Sequence, residues 1–312
     1  MENMRICFQA VAPLFVFLTV GYLARRLHQI RDEDVLRYNK LVFNFFLTTN
    51  QFKSIYFSDL SSAVRPRLIA FAVGGVLAAC LLGLCLSHWL LAERAQRGVM
   101  TQAVFRSNFI LIGMHIAASL VPYEDTASVA VLGAVIIPLY NVLAVAVLSM
   151  YGGGRVDARK LTARILKNPL IIATALGLFW LGFCPRLPGF LETAVTQMSA
   201  VATPMMLFLL GGFFHFESLT KDRKPLILGT FMRLAAVPAI VLPLAYAMGF
   251  RGMEFAALLG LFASSSAVSS FTMAQQMGGD VDLAGNLVVI TNALCFFTLF
   301  GWSLLFKLLG AY

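Results

Sequence analysis

Apolar residues run along this chain in stretches too long and too even for a strand or for the single apolar face of a soluble helix. A bilayer core takes roughly 20 apolar residues per helix, and by that ruler about ten stretches qualify. They lie near residues 8–24, 36–55, 67–91, 100–121, 127–150, 169–184, 189–214, 225–249, 253–277 and 283–309. The pattern predicts an all-α membrane protein with about ten transmembrane helices. The second stretch is the least apolar, because Leu47–Phe52 (LTTNQF) interrupts it, and the sixth is the shortest. The ninth carries the strongest anomaly. Its segment Phe262–Asp280, FASSSAVSSFTMAQQMGGD, places Ser264, Ser265, Ser266, Ser269, Ser270 and Thr272 in the middle of an apolar run. An uninterrupted lipid-facing helix has no use for so many hydroxyls at depth. A helix that breaks there, against protein or a water-filled cavity, does.

The fourth stretch, QAVFRSNFILIGMHIAASL, is the first-half counterpart of the ninth and carries Arg106, Asn108, Gly113 and His115. Two such helices, broken near mid-membrane and crossing, aim half-helix N-termini at a common point. Each N-terminus offers free backbone N–H groups and a partial positive charge, which suits a carboxylate. The plainer reading is that the serines and glycines only permit close helix packing. Asn108 either hydrogen-bonds a substrate or bridges helices. Asn50 and Gln51, with Thr48 and Thr49, form a second polar patch, either a wall of the site or an interfacial end facing water. Asn141 and Asn292 are single amides in apolar helices, structural bridges or ligands. His115 is a packed histidine or a proton relay. Arg106, near the start of its stretch, reads as a snorkelling cation in preference to an anion funnel. The candidate substrate-binding set is Asn108, Gly113, Ser264, Ser265, Ser266, Asn50, Gln51, Thr203 and Asn141, with His115 as the candidate relay.

Composition agrees with the pattern. The chain is 59% hydrophobic and 12% charged, with a mean hydropathy of +0.82, against about 25% charge in soluble domains. A net charge of +9 does not point to nucleic acid, because the basic residues sit in short loops between apolar stretches. Loops after odd-numbered stretches hold roughly seventeen Lys and Arg, among them Arg25, Arg26, Arg155, Arg159, Lys160 and Lys221, against roughly seven opposite. That bias puts the odd loops in the cytoplasm and both termini outside. Only Arg5 precedes the first stretch, whereas Arg25 and Arg26 follow it, so the first helix is expected to be retained. Cys7, Cys80, Cys85, Cys184 and Cys295 form no CxxC pair and indicate neither a disulfide framework nor a metal site. No cofactor is indicated.

Tyr151-Gly152-Gly153-Gly154 opens a basic central loop that ends at Asn168-Pro169. It divides the chain into residues 1–151, a cytoplasmic loop 152–168, and residues 169–312. With about five stretches on each side, the second half enters the membrane the other way up, as in inverted-repeat transporters. No aspartate lies well inside a stretch, and Glu192, Glu217 and Glu254 sit near ends. Cation exchangers titrate buried carboxylates, so an anion or a neutral polar solute fits better. Neither a nucleophile elbow, nor HExxH, nor paired aspartates point to an intramembrane enzyme.

The runs RSNFILIGMHIAASL, IPLYNVLAV, NPLIIATALGL, ATPMMLFLLGG and SSSAVSSFTMAQQMGGD resemble the auxin efflux carrier family, which includes bacterial malate- and malonate-type permeases and plant PIN carriers. The resemblance covers nearly the whole chain. It implies a ten-helix inverted-repeat fold similar to bile-acid symporters and sodium–proton exchangers. Helices one, two, six and seven would form a scaffold, and the others a transport domain with crossing fourth and ninth helices. The substrate carboxylate would sit near Asn108. Relatives commonly carry proline at the positions of Thr48, His115 and Ser265, which bears on how far the crossing helices unwind, since proline breaks a helix. The resemblance implies a secondary carrier of small organic anions, such as malate, malonate or auxin-like acids, working by alternating access. It would sit in a plasma or bacterial inner membrane, as a homodimer through the scaffold. The rival reading is a non-transporting membrane sensor or scaffold of the same fold.

Overall fold

The computed structural model describes residues 2–57, 65–122, 124, 126–152, 158–183, 186–221 and 223–312. Gly153, Gly154, Arg155 and Cys184 lie outside the described residues, as do the side chains of Arg5, Cys7, Lys160 and Lys221. Among the described residues the regular segments are helices: α1 (Glu2–Arg26), α2 (Asp32–Leu41), α3 (Thr48–Tyr56), α4 (Pro66–Leu90), α5 (Arg94–Phe105), α6 (Met114–Leu120), α7 (Ala127–Tyr151) and α8 (Ala158–Leu166) in the first part. The second part holds α9 (Pro169–Phe183), α10 (Gly189–Phe213), α11 (Ser218–Lys221), α12 (Arg223–Phe231), α13 (Val237–Ala247), α14 (Gly252–Ala263), α15 (Ser269–Met277) and α16 (Val281–Leu308). Wide π-type turns at Val42–Leu47 and Met232–Ala236 carry α2 into α3 and α12 into α13, and a third at Phe109–Gly113 leads into α6.

Local signals explain the ends. Pro66 and Pro169 open their helices, where a missing N–H costs nothing. Gly278, at φ 75°, ends α15 in the left-handed region, and the Asp280 carboxylate accepts from Leu283 N at 3.0 Å to start α16. Helices α4, α7, α10, α12–α13 and α16 are each long and apolar enough to cross a bilayer without interruption. At 1.5 Å per residue, a helix of this length measures about 37 Å, against a hydrocarbon core of about 30 Å. Large apolar side chains face outward, with Trp89 85%, Phe183 82% and Leu308 78% exposed. In water such surface would be a liability. Against lipid tails it is the matching solvent.

The interior is held by close backbone approach. Helix α1 packs along α10, where a Cβ on Gly21 would fall 1.9 Å from Phe208 O and one on Gly211 would fall 2.0 Å from Leu18 O. The same device joins α6 to α14. A Cβ on Gly113 would come within 2.5 Å of Gly260 O, and one on Gly260 within 2.3 Å of Gly113 O. With no hydrophobic drive between helices in lipid, such contacts supply much of the association.

A side chain at Gly113 therefore has nowhere to go. Gly113→Val is expected to cost about 1–3 kcal/mol or more by overpacking, seen as a lower thermal midpoint in detergent. Gly74→Ala, where a Cβ meets nothing within 4 Å, should leave the midpoint in place.

Candidate functional site

Two helical lines are interrupted, and the interruptions touch. Between α5 and the turn at Phe109 the backbone is extended at Arg106 (φ −88°, ψ 106°). Between α14 and α15 it is extended at Ser264 (φ −73°, ψ 164°). Ser107 and Ser266 form an antiparallel bridge; Asn108 N donates to Ser265 O at 2.8 Å and Ala267 N donates to Arg106 O at 3.3 Å. All of these residues are buried. Four helix ends thus converge: the C-termini of α5 and α14, and the N-termini of the Phe109 segment and α15.

The C-terminal ends are sealed by one side chain. Arg233, on the wide turn Met232–Ala236, is 0% exposed. Its Nε donates to Ser264 O at 2.8 Å, Nη1 to Val104 O at 3.1 Å, and Nη2 to Leu261 O and Phe262 O at 3.0 Å each. Four carbonyls that the breaks strip of helical partners are answered by one guanidinium, at the negative ends of two helix dipoles. Helix α16 holds the rest of the break. The Asn292 Oδ1 accepts from Ser265 Oγ at 2.8 Å, and Thr291 Oγ1 accepts from Ser266 N at 3.1 Å. Ser266 Oγ donates to Ala103 O at 3.2 Å. Sequence reading missed Arg233. Its signal was available: a lone arginine well inside an apolar stretch, away from either loop.

The N-terminal ends stay open. A cavity of about 100 Å³ lies beside the first turns Phe109–Leu111 and Ala267–Ser269. Of the residues singled out in the sequence, Asn50, Gln51, Asn108, Asn141 and Thr203 line it together. Ser264, Ser265 and Ser266 do not; they are fully buried at the break, where the Ser264 carbonyl accepts from Arg233, the Ser265 hydroxyl donates to Asn292 and the Ser266 hydroxyl donates to Ala103 O. Gly113 sits at the α6–α14 crossing instead, as a packing contact. His115 is exposed on the outer face of α6 and does not line the cavity.

Arg106 requires a correction. It does not snorkel, but is 5% exposed and lines the cavity. Helix α5 begins at Arg94, ahead of the apolar stretch, so Arg106 falls at its inner end. Its Nη2 donates to Asn141 Oδ1 at 2.7 Å and Ser269 Oγ at 2.8 Å, and Nη1 donates to Tyr140 O at 3.4 Å. Asn141 Nδ2 donates in turn to Gln51 Oε1, and Gln51 Nε2 to Thr174 Oγ1 at 3.0 Å. Arg106 Nε and Asn108 Nδ2 are buried donors without a partner. The salt bridges among the described residues, Arg25–Asp32 and Arg65–Glu254, involve neither Arg106 nor Arg233. The cavity is therefore lined by a cation, an amide and two helix N-termini, with no acidic side chain among its described lining residues.

A family profile described as membrane transport protein matches residues 6–303. A relative described as an uncharacterised transporter, from Methanothermobacter thermautotrophicus, is 23% identical over 299 residues. That alignment covers 95% of this chain and 97% of the relative.

Removing the seal should be costly. Arg233→Met leaves four buried carbonyls unanswered, so a loss of about 3–5 kcal/mol is expected, measured as folded yield and thermal midpoint in detergent. Asn108→Ala, which removes an unpartnered donor, should change the midpoint little. Equal losses in the two variants would contradict the assignment.

Proposed function

The chain belongs to the auxin efflux carrier family of membrane transport proteins, and from that premise we propose that it is a secondary carrier of small organic anions, carboxylates in particular. That it is an integral, multi-pass membrane protein follows from the family and from its apolar helices. The observation that carries the substrate class is the pair of unpartnered donors, Arg106 Nε and Asn108 Nδ2, in a buried cavity without a carboxylate. A carboxylate entering beside them accepts from both once the two side chains turn toward it, and gains charge-assisted bonds. The first turns at Phe109 and Ala267 add N–H groups and the positive ends of two dipoles. A volume of about 100 Å³, well under the ~300–1,000 Å³ of drug-sized pockets, favours a cargo of few heavy atoms.

In this reading the ten apolar helices form two inverted five-helix repeats, residues 1–151 and 169–312, joined by the 152–168 loop. Helices α1, α2–α3, α9 and α10 make the scaffold and the others the transport domain. Asn50, Gln51 and Thr203 then belong to the scaffold wall, and Arg106, Asn108, Asn141 and Ser269 to the moving wall. The bond between Asn141 and Gln51 crosses from one to the other. An anion drawing on Arg106 competes with the Asn141 acceptor, loosening that tie as the site fills. Binding then shifts a two-state equilibrium by its differential affinity for the two arrangements, and the site opens alternately to each side. His115 takes no part.

The test is transport by the full chain in proteoliposomes, with labelled malonate, malate and an auxin-like monocarboxylate. Arg106→Gln is expected to lower kcat/KM by about 30- to 150-fold, as for loss of a buried charged partner, and Asn108→Ala by about tenfold. Unchanged uptake in Arg106→Gln would remove the guanidinium from the site.

A further inference from the structure

A second, larger groove of about 530 Å³ opens where α2, α8 and the end of α15 meet, and it shares no residue with the crossover cavity. Lys40, Arg164 and Lys167 line it, with the amides of Asn44 and Gln276. No acidic side chain lines it, and the three cations take part in no salt bridge among the described residues. Lys40, Asn44, Arg164 and Lys167 are all exposed. Three like charges around one groove repel each other until an anion sits among them.

The walls also say what kind of anion. Phe43, Ala163, Pro169 and Met277 give the groove an apolar floor. Next to lining residues in the chain, Leu41 is 45%, Phe45 58% and Leu166 64% exposed. A free inorganic anion uses only the cations. A phospholipid uses both surfaces, phosphate on the basic rim and acyl chain on the apolar side. The positive bias of the loops assigns this end of the bundle to the cytoplasm, where leaflets are rich in anionic lipid and basic pockets between helices bind their headgroups. Helix α8 and the residue after it set Arg164 and Lys167 three apart, on one side of the turn.

We propose that this groove binds the phosphate headgroup of an anionic phospholipid, and that the lipid holds the end of α15 against α2. Asn39 Nδ2 donates to Gln275 Oε1, joining α2 to α15 one residue from Lys40 and one from Gln276, both of which line the groove. Asn39 Oδ1 and Gln275 Nε2 are buried without partners, so the contact between the two helices is under-satisfied. Because α15 is the second half of the crossover line, a lipid seated here bears on the position of Ala267–Ser269 at the cavity.

The experiment needs no knowledge of the transported solute. Purified full-length chain in detergent is titrated with phosphatidylglycerol, phosphatidylcholine or inorganic phosphate, and bound species are counted by native mass spectrometry. Phosphatidylglycerol should bind where phosphatidylcholine at the same concentration does not. The Lys40→Gln, Arg164→Gln, Lys167→Gln triple variant should weaken it about a hundredfold, and Arg164→Gln alone about fivefold. A control triple, Arg37→Gln, Arg223→Gln and Lys224→Gln, removes the same charge from exposed positions outside the groove and should bind as the parent does. Equal binding of phosphatidylcholine, or equal loss in the control triple, would overturn the proposal. Inorganic phosphate that displaces the lipid at matching concentration would also overturn it, and would mark a free-anion site instead.

Discussion

A bilayer offers no water to a broken helix, so each backbone group freed by a break at mid-depth has to find its partner within the protein. The protein meets that demand unevenly. Carbonyl ends of α5 and α14 receive a permanent cation, Arg233, bonded to four oxygens. The exchanged strand-like bonds at Ser107 and Ser266, with Thr291 and Asn292 behind them, close the middle. Among the described residues, it is the amide ends that face the cavity. What is left unanswered there is positive in character, and the chemistry of the cargo follows from that remainder.

The same constraint explains how the crossover holds with Ser265 and not proline at the break. Proline breaks a helix by withholding an N–H, but a break also persists when the open conformation satisfies more groups than the closed one. At Ser265 the hydroxyl reaches Asn292 while the neighbouring amide and carbonyl pair across the bridge. At Thr48 the hydroxyl donates to Phe43 O at 2.9 Å, filling the gap left by the wide turn Val42–Leu47. Past Gly113 the helix runs on through His115 without a break. Side chains from distant helices do at Ser265 what a local ring does elsewhere, which ties the shape of the site to the packing of α16.

Much of this was legible in the chain itself. Long apolar runs announce helices in lipid, and a cluster of serines at depth announces a break, because an uninterrupted lipid-facing helix has no use for hydroxyls there. Isolated amides such as Asn108, Asn141 and Gln51 were readable as a group, since each is costly in lipid unless it meets another. The roles within the group were less legible. The serines look like ligands in sequence, and in the structure they lie at the break and not along the cavity, with Ser265 tied to Asn292 and Ser266 to Ala103 O. Gly113, a candidate site residue in sequence, lies against Gly260 in the structure. Arg106 was misplaced because hydropathy begins the stretch late, whereas α5 begins at Arg94 and carries Arg106 inward. Arg233 went unremarked because its partners are carbonyls of a segment about thirty residues on and of another far earlier in the chain, a pairing that local pattern does not encode.

The claim on which this account rests is that the open amide ends and Arg106 together hold a negatively charged guest. A structure determined with a saturating bromine-labelled dicarboxylate tests it most directly. The account predicts its carboxylate within about 2.7–3.2 Å of Arg106 Nε and Asn108 Nδ2, between the turns at Phe109 and Ala267. A guest bound elsewhere, with those two donors still empty, would contradict it.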